Sequence, residues 1–135
     1  MRLVHHDLCF GCGQANLFGL QLELERKDDG SVAGRFFVKQ DHQGPPGAAH
    51  GGIVGAALDD AMALASGEGQ ESAYTVRFEV DLRAPAPVGE FLLLEASIQP
   101  AGGRKLHGRA SARREDGTLV AEAKAVFVTA AAPGS

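Results

Sequence analysis

Polar and apolar residues alternate over residues 20–25 of this chain. Leu20, Leu22 and Leu24 are each followed by a polar residue, which predicts a strand with one buried face. Residues 27–30 (KDDG) have the composition of a turn. Residues 31–39 are predicted to form a second strand, so the two strands make a hairpin.

The same alternation returns near the end of the chain, over four longer segments. Strands are predicted over residues 72–83, 88–98, 104–114 and 118–129. The breaks between them are APAP, QPAGG and EDG, which have the length of hairpin loops. The pattern therefore predicts an antiparallel meander of these four strands.

The segment between the two groups of strands is predicted to hold a helix. Residues 41–52 (DHQGPPGAAHGG) contain too much Gly and Pro for regular structure. Residues 53–66 are rich in Ala, Leu and Met and contain no proline, which predicts a helix that ends at Gly67 and Gly69. Its apolar residues lie on every face, which is typical of a buried helix.

This order of elements predicts one α+β domain over residues 1–135, because a single antiparallel sheet wrapped around one helix buries it most simply. A chain of 135 residues has the length of one ordinary domain and is long enough to enclose a core. Residues 130–135 (AAAPGS) are expected to be a frayed tail.

Composition and charge exclude several classes of protein. The chain has 13 Lys and Arg against 17 Asp and Glu, a formal net charge of -4, whereas nucleic-acid-binding domains usually carry a basic surface. No apolar run reaches the roughly 18–20 residues that span a bilayer, so no membrane partner is expected. The first ten residues do not resemble a secretory signal, so the expected compartment is the cytoplasm. Two cysteines are too few for a disulfide framework.

Asp59 and Asp60 are the only charged residues between Gly51 and Gly67. Burying a carboxylate without a partner is costly, so the pair is a candidate for function. Adjacent helical residues point about 100° apart, so the two carboxylates cannot share one role. The alternative is that one edge of the helix is exposed and both are ordinary surface acids.

The entrance of the helix, residues 49–52 (AHGG), is a second candidate. The first turn of a helix has free N–H groups and a partial positive charge, and glycine lets a ligand approach them closely. Such N–H groups can stabilise a carbonyl oxygen that becomes an oxyanion. A plain glycine-rich turn into a helix would have the same sequence.

The spacing between these two features predicts a shared site. Asp59 follows Gly51 by eight residues, about 12 Å along a helix axis. A reacting carbonyl must lie about 3 Å from both the donor and the attacking group, which one helix cannot easily provide. A second copy, with its helix beside the first, would bring Asp59 of one subunit to Gly51 of the other.

Four segments of the chain carry a family resemblance. They are HQGPPGAAHGGIVGAALDDAM, CFGCGQANLFGLQLE, RAPAPVGE and GGRKLHGRASARREDGTLVAEAKAVFV, and they extend from Cys9 to about Val128. These segments resemble the hotdog-fold thioesterases, in their PaaI-like branch. The resemblance implies a long central helix wrapped by a curved antiparallel sheet, homodimers often paired into homotetramers, and hydrolysis of acyl-CoA thioesters between subunits.

The resemblance also implies roles for individual residues. The catalytic acid of the family falls on Asp59, and its oxyanion-hole glycine falls on Gly51, just after the motif histidine, His50. Thr75 on the following strand matches a residue that helps to place the acid or the water. Asp60 matches a position that is variably acidic and is not usually the catalyst.

Contacts to the substrate follow from the same resemblance. Many relatives have Asn or Gln before the His-Gly-Gly motif, and that side chain contacts the thioester carbonyl. This chain has Gly44 there, so Gln43 is predicted to make the contact instead. His50 and backbone donors such as the Gly52 N–H are the other candidates for it. Coenzyme A carries phosphates, so Arg104 and Lys105, which follow a Gly-Gly turn, are predicted to line the mouth of the groove.

The predicted reaction places the thioester carbonyl at the helix N-terminus, where the Gly51 N–H polarises it. Asp59 then acts as nucleophile or as general base on water, and the sequence leaves both routes open. Neither route needs a cofactor or a metal. The alternatives are a non-catalytic acyl-CoA-binding or sensor module and a hotdog dehydratase or hydratase. The presence of Asp59 with Thr75 favours the hydrolase.

Cys9 and Cys12 have CxxC spacing, and His5 and His6 lie just upstream. All four are potential zinc ligands, but one CxxC is a weak signal and a second pair is missing. A redox CxxC needs a thioredoxin-like setting, which the pattern does not offer. The balance favours no metal, and the resemblance implies that residues 1–17 form a structural segment packed on the sheet.

Overall fold

The computed structural model describes residues 1–67 and 73–129. Its elements are β1 (Glu23–Arg26), β2 (Val32–Phe37), a short 3₁₀ turn (Gln40–His42), α1 (Gly51–Ser66), β3 (Ala73–Leu82), β4 (Phe91–Pro100), β5 (Lys105–Arg114) and β6 (Leu119–Thr129). The six strands form one antiparallel sheet in the order β1-β2-β4-β5-β6-β3. The predicted α+β architecture, with one long helix wrapped by an antiparallel sheet, is confirmed.

Helix α1 lies in the concave face of the sheet and contacts β2 through β6. Its fully buried side chains are Ala57, Leu58, Ala61, Met62 and Leu64. The facing strands β5 and β6 are lined with small residues. At Gly108 on β5, an added Cβ would lie 2.9 Å from the sulfur of Met62. Small residues at these positions therefore let the helix approach the sheet closely.

The helix begins at Gly51, two residues before the predicted start at Ile53. The side chain of His50 makes this possible, because its Nδ1 accepts a hydrogen bond from the Gly52 N–H at 2.9 Å and caps the first turn. The helix ends as predicted at Gly67, which has a φ of 141°. Gly69, the other predicted terminator, lies outside the described residues.

The predicted first strand is only partly a strand. All three of its leucines are buried, as the alternation predicts, but the ladder with β2 begins at Glu23. Gln21 adopts a left-handed conformation with a φ of 56°, which interrupts the extended backbone. The Leu20 N–H donates instead to the carbonyl oxygen of Phe10 at 2.7 Å. At Leu20, the hydrogen-bond partner of the backbone is therefore the N-terminal segment and not a neighbouring strand.

The predicted meander of four strands is wrong for β3. Strands β4, β5 and β6 are consecutive neighbours, but β3 pairs with β6 and not with β4. The link over residues 83–90 crosses the entrance of the helix, where the carbonyl oxygen of Ala86 accepts the Ala49 N–H at 2.8 Å. The Val88 N–H donates to the carbonyl oxygen of Gly47 at 2.9 Å. These bonds make the link a crossover and not a hairpin.

The N-terminal segment, residues 1–17, runs along β1 and against α1. The Leu3 N–H donates to the carbonyl oxygen of Leu24 at 2.8 Å, and Arg2 forms a bridge with Glu25. Cys12 is fully buried. The tail over residues 130–135 lies outside the described residues. Among the residues that the structure describes, no helix has the length and apolar character needed to cross a bilayer.

Candidate active site

Asp59 and Thr75, which the family resemblance links, lie together in the structure. The Thr75 hydroxyl on β3 donates to Oδ1 of Asp59 on α1 at 2.7 Å. Asp59 is half-buried. Burial raises the pKa of the Asp59 carboxyl group, and the hydrogen bond from Thr75 opposes that rise. The pair presents a partly desolvated carboxylate that is held in one orientation.

Asp60 points to a different part of the molecule. Its side chain faces the N-terminal segment, where Oδ1 accepts from the Cys9 thiol at 3.2 Å and lies 3.2 Å from Nδ1 of His5. Asp60 is buried, with 9% of its surface exposed. The two carboxylates therefore point to different surroundings, as expected for adjacent helical residues. The alternative that both are ordinary surface acids is wrong for Asp60.

The helix entrance leaves one backbone donor available. The Gly52 N–H is engaged by the side chain of His50, and the Ile53 and Val54 N–H groups donate to the His50 carbonyl oxygen. The Gly51 N–H has no hydrogen-bond partner among residues 1–67 and 73–129. Of the two glycines predicted at this site, Gly51 therefore provides the free donor, while Gly52 is already bonded within the cap.

His42 is a site residue that sequence reasoning passed over. It is buried, its Nδ1 accepts the Lys39 N–H at 3.0 Å, and its carbonyl oxygen accepts the His50 N–H at 2.7 Å. Its ring packs against Phe36, with the centroids 5.1 Å apart. Burial lowers the pKa of His42, and the charge of Lys39 adds to that effect. This histidine holds the helix entrance in place. In the sequence, the only feature that pointed to His42 was the HQG motif of the loop, residues 42–44.

Gln43 and Gly44 shape the loop before the helix. The side-chain carbonyl oxygen of Gln43 accepts the Gly47 N–H at 2.6 Å, so one end of this amide is used within the loop. A Cβ at Gly44 would lie 2.8 Å from the Cα of His50. The close approach of the two backbones therefore requires glycine at position 44, which explains why this chain does not have a larger residue there.

The predicted basic residues lie at the same end of the sheet as Asp59 and Thr75. The Arg104 carbonyl oxygen accepts the Thr129 N–H at 3.0 Å. Thr129 pairs in turn with Ala73, two residues before Thr75 on β3. Lys105 begins β5, and both basic side chains are exposed.

Gly51 lies at the opposite end of β3. A Cβ at Gly51 would lie 2.7 Å from Cδ1 of Leu82, the last residue of the strand, whereas Thr75 is near its start. Within one chain, the Gly51 N–H and the Asp59 carboxylate therefore lie near opposite ends of β3. Two shallow grooves lie on the outer face of the sheet, lined by charged residues that include Glu79 and Lys124, and neither contains Asp59, Thr75 or Gly51.

A cluster of potential metal ligands lies beside this site. Nδ1 of His5 is 3.3 Å from Sγ of Cys12 and 3.6 Å from Sγ of Cys9. Burial alone would lower the pKa of His5, but its hydrogen bonds with Asp60 and Cys12 outweigh burial and raise that pKa to about 11. Burial raises the pKa of the Cys12 thiol, and its hydrogen bonds with His5 oppose the rise. His6 is exposed and lies outside the cluster.

Comparison with known proteins identifies the family. The model of the thioesterase superfamily matches residues 46–121, more than half of the chain. Acyl-coenzyme A thioesterase THEM4 from Xenopus laevis is 26% identical over 87 residues, which are 64% of this chain and 39% of that protein. This chain therefore spans well under half the length of that relative.

Solved structures share the fold. A crystal structure described as a thioesterase superfamily protein has a TM-score of 0.83 and 29% identity, over 90% of this chain and 60% of that one. A phenylacetic acid degradation-related protein from Ralstonia eutropha JMP134 has a TM-score of 0.72 and 25% identity, over 81% of this chain and 85% of that one. Because the family model matches the helix and strands β3 to β5, and the solved thioesterases share the fold, this chain belongs to the thioesterase superfamily and has the hotdog fold.

Proposed function

We propose that the protein is an acyl-CoA thioesterase, which hydrolyses an acyl-CoA thioester to a free acid and coenzyme A. The observation that carries the proposal is the 2.7 Å hydrogen bond from Thr75 to Asp59. It orients a half-buried carboxylate on a helix that is otherwise apolar apart from Asp60. A desolvated and oriented carboxylate is suited to act as a nucleophile or as a general base. The name of the Xenopus relative agrees with this reaction.

The electrophilic half of the site is the N-terminus of α1. The Gly51 N–H points out of the first turn, where the partial charge of the helix is positive. An acyl carbonyl oxygen bound there would gain negative charge in the transition state, and the N–H would stabilise that charge. His50 caps the same turn through Nδ1, so its imidazole lies beside the bound thioester.

A second copy of the chain completes the site in this proposal. Strand β3 pairs only with β6 among the described residues, so its other edge is open. Tyr74 and Val76 on β3 are each 61% exposed, and Leu82 is 53% exposed. An open strand edge with exposed apolar side chains favours pairing with another strand. Antiparallel pairing of two β3 strands would place the Thr75 end of one against the Leu82 end of the other.

That pairing joins the separated halves of the site. The Asp59 carboxylate of one subunit would lie near the Gly51 N–H of the partner, because Gly51 contacts the Leu82 end of β3. Arg104 and Lys105, at the Thr75 end, would come to the same groove and face the phosphates of coenzyme A. Gln43 and Gly52, in the loop and first turn of the helix, would contact the acyl part. Two such dimers pair into a homotetramer in the assembly that the resemblance implies.

The reaction can follow either of two balanced routes. As a nucleophile, Asp59 adds through a carboxylate oxygen to the carbonyl carbon and expels the thiolate of coenzyme A, and water then cleaves the acyl-aspartyl anhydride. As a general base, Asp59 takes a proton from water while the oxygen of that water adds to the carbonyl, and the tetrahedral intermediate expels the thiolate. In both routes Thr75 holds one carboxylate oxygen and leaves the other free to react.

Release of free thiol from a panel of acyl-CoA thioesters tests the proposal. Phenylacetyl-CoA, benzoyl-CoA and short-, medium- and long-chain acyl-CoAs rank the acyl pocket as well as detect turnover. Hydrolysis of at least one of them supports a thioesterase. Tight binding of acyl-CoA without turnover would contradict it and would favour a non-catalytic acyl-CoA-binding or sensor module.

Replacing the proposed catalytic carboxylate is expected to abolish most of the activity. We expect Asp59→Asn to lower kcat on the best substrate by about 10²-fold or more, because the amide can neither attack the carbonyl nor accept a proton from water. Asp28→Asn, in the exposed turn between β1 and β2, is the matched control and should retain the wild-type kcat. Equal rates for the two variants would rule out the role of Asp59.

The hydroxyl of Thr75 is expected to contribute through the orientation of Asp59. We expect Thr75→Val, which keeps the shape but removes the donor, to lower kcat about 10-fold, the loss expected for a hydrogen bond to a charged group. Thr75→Ser keeps the donor and should restore most of the rate. The proposed role would be wrong if the valine variant turned over substrate as fast as the serine variant.

The Gly51 N–H can be removed without breaking the helix. Proline is well tolerated at the first helical position, and His50 has a φ of -61° and a ψ of 134°, which are compatible with a following proline. We expect Gly51→Pro to lower kcat by about 10²–10³-fold, as for loss of an oxyanion-hole donor. Gly51→Ala adds a Cβ against Leu82 but keeps the N–H, and should lose much less. Similar losses in both would show that crowding, and not the donor, matters.

A further inference from the structure

We infer that His5, Cys9, Cys12 and Asp60 form a four-ligand site for a zinc ion that ties the N-terminal segment to the middle of α1. Each residue offers one ligand atom, and the four atoms all lie within 4.8 Å of one another. The site is separate from the Asp59–Thr75 pair, and the inference does not depend on the proposed reaction.

Four of the six distances between the ligand atoms are close to the edges of a tetrahedron around zinc, and all six are within 4.8 Å. Nδ1 of His5 lies 3.3 Å from Cys12 Sγ, 3.6 Å from Cys9 Sγ and 3.2 Å from Asp60 Oδ1. Sγ of Cys9 lies 3.2 Å from Asp60 Oδ1. Bonds of ~2.3 Å to sulfur and ~2.0–2.1 Å to nitrogen or oxygen give tetrahedral edges of about 3.3–3.8 Å. Side-chain shifts of about 1 Å or less would therefore accommodate the ion.

The carboxylate of Asp60 is incompletely satisfied in the protein alone. Its Oδ2 atom is buried and has no hydrogen-bond partner within the part of the chain that the structure describes. A buried carboxylate oxygen without a partner is costly, and such atoms in native proteins are few. A cation bound by Asp60 would neutralise the negative charge that both carboxylate oxygens share and so reduce that cost.

The backbone of the N-terminal loop lies very close to helix α1 at this cluster. A Cβ at Gly11, between the two cysteines, would collide with the side chain of Asp60, so only glycine lets the loop lie against the helix. The Gly13 N–H donates to the Cys9 carbonyl oxygen at 2.9 Å and closes the loop. The His5 N–H donates to Sγ of Cys12 at 3.2 Å, a bond that would stabilise a thiolate.

The ligand types select zinc over the common hard cations. Two thiolates, one imidazole and one carboxylate are all regular zinc ligands, whereas Mg²⁺ and Ca²⁺ prefer oxygen ligands alone. Because the protein supplies all four ligands, the site is closed, as in structural zinc sites, and has no open position for a substrate. Binding releases the protons of the two thiols and of His5 Nδ1, so that each ligand atom has a free electron pair for the metal.

The structure also explains why the sequence did not reveal this site. The sequence placed four potential ligands together, His5, His6, Cys9 and Cys12, but a single CxxC without a second pair was a weak signal. The fourth ligand is instead Asp60, 48 residues after Cys12 along the chain, and His6 accepts a hydrogen bond from the Leu8 N–H outside the cluster.

Cobalt(II) titration of the full chain tests the inference directly. The protein is kept reduced, stripped with a chelator and titrated with CoCl₂. We expect one Co²⁺ per chain, with the thiolate-to-cobalt charge-transfer absorption and the intense visible bands of a tetrahedral site, and we expect Zn²⁺ to displace it. Added Zn²⁺ should also raise the Tm of the stripped protein.

Variants show which residues bind the ion. We expect Cys12→Ser and Asp60→Asn to weaken Co²⁺ binding at least 10-fold, since loss of even an outer partner of a metal site costs about 10–100-fold. His6→Ala removes an exposed neighbouring imidazole and is the matched control, with wild-type affinity expected. Asp60→Asn preserves the shape of the side chain. If Cys12→Ser does not fold, the Co²⁺ affinity of Asp60→Asn alone shows whether the metal binds at this cluster.

Two results would overturn the inference. One is the absence of the thiolate-to-cobalt absorption in the reduced wild-type protein. The other is equal Co²⁺ affinity in Asp60→Asn and His6→Ala, which would place any bound metal elsewhere.

Discussion

Two adjacent carboxylates on a buried helix are the constraint on which the rest of this structure depends. Helix α1 carries no charge apart from Asp59 and Asp60, and the sheet contacts it through five strands. A carboxylate removed from water needs partners, and two neighbours on one helix point in different directions. The fold meets both needs, because β3 supplies Thr75 to Asp59 and the N-terminal segment closes over Asp60. One helix thereby organises two separate polar sites.

The position of the helix entrance depends on a second set of contacts, made almost entirely by backbone groups. The His42 carbonyl oxygen accepts the His50 N–H, and the crossover after β3 accepts the Ala49 N–H through Ala86. His50 then caps the first turn, and the Gly51 N–H is left as a donor without a partner in the described part of the chain. Because backbone bonds fix this donor, the positive end of the helix is set before any ligand arrives, which is what electrostatic stabilisation of an oxyanion requires.

Much of the fold could be predicted from the sequence because its signals are local. Alternating positions identified the strands, and an apolar helix with only two charges indicated burial and marked Asp59. The neighbours of β3 could not be predicted, because the prolines in the following link look like a hairpin break in sequence. In the structure the same link crosses the helix entrance and leaves β3 at the edge of the sheet.

The candidate sites show the same limit. Asp59 and Thr75 were identified through a motif and a family resemblance, and the structure brings them together. The partnership of Asp60 with the CxxC segment has no sequence signal, since it depends on how a loop near the N-terminus packs on a helix far along the chain. His42 was hidden for a related reason, because its contribution comes from its burial and its carbonyl oxygen as well as its ring.

In the proposed dimer, each site takes its carboxylate from one subunit and its oxyanion donor from the other. The most direct test is the acyl-CoA hydrolysis rate of a purified heterodimer of Asp59→Asn and Gly51→Pro chains, co-expressed with different tags. Each parent homodimer lacks one half of every site. The heterodimer has one site with both halves intact, so we expect about half of the wild-type activity per dimer. A heterodimer as inactive as its two parents would contradict the claim, because it would place both halves of the site within one chain.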